Sequence, residues 1–153
     1  MTRDDLAHAR LMNQQIAHPT SKEPSQVVAD FGAMQAQDYA SALWAIGLRL
    51  PNAAEMSIEQ AIADGAIIRT WPMRGTLHFV AAADVRWMLQ LLTPRILARR
   101  ARRRQQLDLD DATLARSRDL FIQALQGNRL LTRAALLDLL EAAGISTAAQ
   151  RGY

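Results

Sequence analysis

The sequence predicts a mainly α chain with one small β-hairpin, and three observations lead to that class. Apolar residues recur at helical spacing in segments separated by proline, glycine and asparagine. One stretch, residues 66–81, is instead rich in β-branched and aromatic residues and is interrupted at Pro72-Met-Arg-Gly75, a hairpin signal. Beyond it the order helix, turn, helix begins again. Several short helices followed by a hairpin is the order of a winged helix, in which one helix addresses DNA and the hairpin forms the wing. The expected architecture is a tandem winged-helix (helix-turn-helix) chain whose second unit is incomplete.

Taken in order, residues 3–17 read as a first helix, with Leu6, Ala9, Arg10, Asn13 and Ile16 on a mixed face and Leu11 and Met12 beside it. Pro19 and Pro24 end it. A second helix over 25–34 should present Val27, Val28 and Phe31. Ser41 is a suitable N-cap for a third running through Leu48, closed by Pro51 and Asn52. Ser57-Ile-Glu-Gln60 fits the capping-box pattern of a short fourth that stops at Gly65. With the hairpin at about 66–81, this makes a first unit over residues 1–82.

Connecting helices are expected over 83–107. The first, over 83–92, should turn Val85, Met88, Leu91 and Leu92 towards the core, after which Thr93 as N-cap and Pro94 in the first turn restart the helix. Six arginines follow: Arg95, Arg99, Arg100, Arg102, Arg103 and Arg104. They occupy most of a helix circumference, so they read as a solvated linker helix that can add phosphate affinity without sequence information. The second unit, 108–153, opens on Asp110 as cap of a helix with Leu114, Phe121, Ile122 and Leu125 inward, stopped by Gly127 and Asn128. Thr132 caps the next, which carries Leu136, Leu137 and Leu140 up to Gly144. A further helix should begin at Ser146.

Composition sets the bounds. The chain has 153 residues, 50% hydrophobic and 22% charged, the size of one compact domain or two very small ones. It has no cysteine, and His8, His18 and His78 are scattered, so disulfides, thiolate metal sites and a histidine cluster are excluded and no metal or cofactor is expected. The first residues lack the apolar core of a signal peptide and no run reaches membrane-spanning length, so a cytoplasmic protein with no membrane partner is expected. The formal charge is only +3, yet all but one of the 18 basic residues are arginine. Arginine makes forked contacts with phosphate and stacks on bases, which leans towards nucleic acid, although a GC-rich genome produces the same bias. The pattern sets no oligomeric state.

The most informative stretch is Phe31-Gly-Ala-Met-Gln-Ala-Gln-Asp-Tyr-Ala-Ser-Ala-Leu-Trp44, and in it Gln35 and Gln37. Residues two apart point to nearly opposite sides of a helix but share one face of an extended segment. If both amides serve one site, the chain must leave regular helix there. An amide offers an acceptor and two donors and does not titrate near neutrality, so it can hold a water or read a base edge but is no general base. Two polar residues at a helix end would look the same. Asp38 reads as an N-cap for the next helix, a carboxylate in the site being its other open role. Trp44, flanked by aliphatics, is expected in the core, and Trp71 is open between core and base stacking.

The run Gly32-Ala-Met-Gln-Ala-Gln-Asp-Tyr-Ala-Ser-Ala-Leu-Trp44, followed by Ile68-Arg-Thr-Trp-Pro-Met-Arg-Gly-Thr-Leu-His78, resembles the winged-helix family of AlkZ-like DNA glycosylases over roughly residues 5–150. That family carries a Gln-x-Gln or Gln-x-Asp catalytic motif and an Arg-Gly-Thr-Leu-His segment. The resemblance implies that Gln35 and Gln37 are catalytic water-positioning residues. It also implies double-stranded DNA as partner, with Arg69, Arg74 and His78 near the hairpin as contacts and Arg49 a further one. Its members are longer and arrange several winged helices around a concave DNA-binding face. This chain is therefore expected to be the N-terminal part of one, weak in binding and activity if parts of that face lie beyond it.

The implied reaction is hydrolysis of the N-glycosidic bond of an alkylated base such as N7-alkylguanine, alone or in an interstrand crosslink. A non-catalytic winged-helix regulator or adaptor would use the same helices, hairpin and arginines. A helical interaction domain without a nucleic-acid role would show no salt-dependent DNA binding.

Overall fold

The computed structural model describes residues 2–21, 23–52 and 54–148. The chain is mainly helical with one small antiparallel sheet, and it divides into two compact units, Met1–Ile96 and Leu97–Tyr153. Among the described residues no helix is long and apolar enough to cross a membrane.

In the first unit α1 (Arg3–Asn13) opens on a capping box: the Thr2 hydroxyl accepts from the Asp5 amide, and the Asp5 carboxylate accepts from the Thr2 amide. It stops short of the expected residue 17 because Gln15 turns left-handed at φ 56°. The Gln15 and Ile16 amides then donate back to Met12 and Leu11, closing a Schellman motif. α2 (Pro24–Asp30) starts with proline in its first turn and buries Val27 and Val28. The helix expected to reach Met34 ends at Asp30, because Gly32 takes φ 69° and its amide returns to the Ala29 carbonyl.

The chain leaves that turn extended, as β1 (Ala33–Gln35), and reaches α3 (Tyr39–Gly47). Asp38 caps α3, its carboxylate accepting from the Ser41 amide at 2.8 Å. Ser41 is therefore one turn inside the helix rather than its cap: the carboxylate three residues earlier reaches the free amide first. α4 (Glu55–Ala63) likewise begins two residues before the expected capping box. Its N-cap is Ala54, with no side-chain cap bond, and the Ser57 hydroxyl donates to the Ala54 carbonyl instead. Gly65, left-handed at φ 73°, ends it as expected.

The hairpin forms from β2 (Ile67–Met73) and β3 (Thr76–Ala81). Arg74 and Gly75 make its two-residue turn at φ 52° and 75°, the left-handed pair whose twist matches antiparallel strands. The ladder is irregular between Thr70 and Met73, a bulge that accommodates Pro72, which has no amide to donate. β1 adds to the far side of β3, giving the order β1-β3-β2, so the expected hairpin is the larger part of a three-stranded sheet. The core lies between this sheet and α2, α3 and α4, with Val27, Val28, Ile46 and Phe79 wholly buried. Each such side chain contributes on the order of 1.5–3 kcal/mol.

Trp44, expected in that core, is 67% exposed. α3 buries Ala42, Leu43 and Ile46, and the residue after Leu43 is rotated about 100° away from them. α5 (Ala82–Gln106) is one helix, with Pro94 inside it, where a restart at Thr93 was expected. Proline removes one backbone bond and costs about 3 kcal/mol in a helix interior, which the turns on either side override here. α5 buries Met88, while Leu91 points to solvent.

In the second unit the caps fall where the sequence places them. The Asp110 carboxylate accepts from Thr113 ahead of α6 (Asp111–Ala124), and the Thr132 hydroxyl accepts from Ala135 ahead of α7 (Arg133–Ala142). Leu140 and Ile145 are buried, and Arg116 donates to the Ala143 carbonyl at the end of α7. Leu114, Ile122 and Leu125, expected inward, are exposed: periodicity aligns them on one face, but two short helices cannot cover it. Residues 146–148 carry no helix, and the rest of the expected final helix lies outside the described residues.

Candidate functional site

Between the end of β1 and the start of α3 the side chains alternate. Met34 and Ala36 are buried, while Gln35 and Gln37 are exposed. The segment is extended, so both amides lie on one face. Two backbone devices force this. Gly32 ends α2, and the Ala36 amide donates to the Leu77 carbonyl at 2.9 Å, carrying the β1–β3 ladder one residue past the strand.

The two glutamines differ in what holds them. The Gln37 side-chain oxygen accepts from the Leu77 amide at 3.1 Å, which ties that amide to the strand beside it and leaves its NH2 group and one lone pair for a ligand. The Gln35 amide has no hydrogen-bond partner among the described residues, and its backbone lies opposite His78 in the β1–β3 register. His78 is also opposite Thr70 in β2, so Gln35, His78 and Thr70 form one row across the sheet. His78 is only 4% exposed, and its Nδ1 lies 2.9 Å from the Thr76 carbonyl. A carbonyl only accepts, so Nδ1 carries the proton and donates.

Arg69 reaches this segment from β2. Its Nε and Nη2 donate to the Ala36 carbonyl at 3.0 and 2.8 Å, and Nη2 also donates to the Gln37 carbonyl at 3.2 Å. Its guanidinium carbon stands 5.5 Å from the centre of the Tyr39 ring, which in turn meets Phe79 edge-on. Asp38 is held below the usual carboxylate range first by its hydrogen bonds to Ser41 and less by the charge of Arg69. It is an ionised helix cap at neutral pH.

The other candidates lie elsewhere. Arg74 is exposed at the tip of the hairpin. Arg49 follows α3 and is 7% exposed: Nη1 donates to the Ala45 carbonyl at 2.6 Å, Nη2 to the Gln14 side chain at 3.3 Å, and the group stacks 4.7 Å from the centre of the Phe31 ring. Burial lowers its pKa. Trp71 is exposed on β2, beside the bulge. Of the arginine run, Arg104 pairs with Asp111 at 2.6 Å. Among the described residues no three His, Asp or Glu side chains gather into a metal site.

Sequence reasoning missed β1, the Leu77 amide and Tyr39. The alternation of Met34 and Ala36 with Gln35 and Gln37 is a two-residue period that marks an extended segment, though a very short one. Nothing local points to Leu77, whose bond to Gln37 spans the length of two helices and a strand.

The arrangement presents two non-titrating amides on one exposed face, Gln37 held by the Leu77 amide and Gln35 unheld, with a guanidinium bonded to the backbone carbonyls of Ala36 and Gln37. The sequence pattern described as DNA glycosylase AlkZ-like matches residues 28–152. An interstrand DNA cross-link repair glycosylase from Streptomyces sahachiroi is 30% identical over 83 residues, which are 54% of this chain and 22% of that protein. No solved structure matches. Because the matched pattern takes in the glutamine segment, the hairpin and the helices of the second unit, the chain belongs to the family of AlkZ-like DNA glycosylases.

Proposed function

We propose that this chain carries the catalytic segment of a monofunctional DNA glycosylase acting on alkylated bases in double-stranded DNA, N7-alkylguanine among them and including those in interstrand crosslinks. The observation that carries the reading is the pair Gln35 and Gln37, exposed on one face of an extended segment. The order α2-β1-α3-α4-β2-β3, with β1 on the hairpin's second strand, supports a winged-helix arrangement in which the hairpin serves as wing.

In the proposed reaction a water oxygen bonds to C1′ of the damaged nucleotide while the C1′–N9 bond breaks. The bond pair goes to the base and neutralises its N7-alkylated ring, and one water proton leaves to solvent. The products are the free alkylated base and an abasic site. Alkylation already makes the base a good leaving group, so a strong protein acid is unnecessary. What remains is to hold the water and to stabilise an oxocarbenium-like sugar, which amide oxygens fixed in advance can do.

Gln37, held by Leu77, suits this through its remaining lone pair, and Gln35 would supply a second amide that the bound water or nucleotide orients. Arg74 at the hairpin tip would contact phosphate, fixing the duplex without reading its sequence. His78, buried beside Gln35 in the same cross-strand row, would support that strand more than touch DNA. The test is release of N7-methylguanine from methylated duplex DNA by this chain and by the full reading frame if that is longer. Release that disappears in Gln35→Ala/Gln37→Ala supports the reading, and DNA binding with no release from either protein overturns it.

A further inference from the structure

We propose that Arg69 is a positioning residue: its forked guanidinium holds the backbone on both sides of the glutamine pair, so its loss lowers the rate of base release and leaves DNA affinity intact. The inference rests on the glycosylase reading of Gln35 and Gln37, but its geometry stands apart from it. β1 and β2 are the two outer strands of the sheet, and Arg69 belongs to β2. To donate to Ala36 and Gln37, just past β1, its side chain must cross the central strand β3.

Arg69 is exposed and its Nη1 has no partner among the described residues, but Nε and Nη2 are thereby used on two consecutive carbonyls, and Tyr39 lies against the guanidinium. Asp38, between them, feels its charge. One side chain therefore touches or influences residues 36–39, where the chain must pass from an extended segment into α3 without a regular ladder. The Ala36 carbonyl lies between the two catalytic candidates, so releasing it frees both amides from their common orientation. An arginine that served only to bind phosphate would leave Nε and Nη2 free as well.

The test compares Arg69→Ala and Arg69→Lys with the unmodified chain, and with its full reading frame for activity. Single-turnover release of N7-methylguanine at saturating protein is expected to fall about 100-fold in Arg69→Ala, the scale of a misplaced reacting group. The dissociation constant for the same duplex and its salt dependence should not change. Lysine keeps the charge but cannot fork, so Arg69→Lys is expected to remain nearly as slow.

Amide exchange gives an independent readout. Protection of the Leu77 amide, bonded to the Gln37 side chain, should be lost in both variants while that of Phe79 and Val80 in the same strand is retained. Weakened DNA binding that Arg69→Lys restores would overturn the proposal, as would unchanged Leu77 protection. If the unmodified proteins release no base, the glycosylase reading fails, and Leu77 exchange alone decides whether Arg69 orders the segment.

Discussion

Gln35 and Gln37 are chemically identical, and the structure predicts that truncating them has unequal effects on stability. Gln37→Ala removes the acceptor of the Leu77 amide, a bond of 3.1 Å at an exposed position. Water can take its place, so the loss is the net value of a neutral hydrogen bond, about 1 kcal/mol, and not the larger cost of burying an unpaired donor. The first unit runs over Met1–Ile96, and for a unit of that size 1 kcal/mol moves the melting temperature by roughly 4–8 °C. Gln35→Ala removes no hydrogen bond and leaves an exposed position, so its effect should stay within about 0.5 kcal/mol. The assay is urea unfolding followed by tryptophan fluorescence, with thermal unfolding as a second probe. Equal destabilisation by the two substitutions, or no loss in Gln37→Ala, would refute the assignment of Gln37 as the anchored member.

Asp38 has its pKa lowered by its cap bonds to Ser41, so the stability it contributes is fully present above the ordinary aspartate value of 3.8 and is lost as pH falls through the lower folded-state value. Asp38→Asn keeps a cap oxygen but does not titrate, so the difference in urea midpoint between the two proteins should shrink below pH 3.8 and be constant above it. Arg74→Ala at the hairpin tip should weaken duplex binding equally for all sequences and lower the salt slope by about one unit, read by titrations at several salt concentrations. Arg49→Ala should leave that slope unchanged and lower the melting temperature, because its guanidinium is occupied by Ala45, Gln14 and the Phe31 ring.

Where the structure follows local chemistry, the sequence shows it. Asp110 and Thr132 cap their helices because a short side-chain oxygen meets a free amide three residues on, and Gly65 and Gly75 stand where φ is positive. The mainly helical class and the hairpin come from the same kind of signal, whereas the departure of the glutamine pair from helix followed only on the condition that both amides serve one site. What escapes is set by partners distant in sequence. β1 is three residues long and exists because β3 offers it an edge.

Trp44 has the composition of a core residue in a core-facing stretch, yet the helix phase that buries Leu43 and Ile46 turns it outward. Pro94 has the local signature of a helix start and lies inside α5. At the site, Arg69 was legible as a cation near the hairpin, but its direction was not: only the order β1-β3-β2 brings it onto the Ala36 carbonyl.

In the proposed reaction Gln35 and Gln37 act on the bond and not on the duplex. The measurement that tests it most directly determines both quantities on one substrate: the dissociation constant for a duplex bearing a single N7-methylguanine, and the single-turnover rate of base release at saturating protein. It compares the full reading frame with its Gln35→Ala/Gln37→Ala form. The double substitution is expected to abolish release while most of the affinity remains. Loss of affinity with no release from either form would contradict it and leave a DNA-binding regulator.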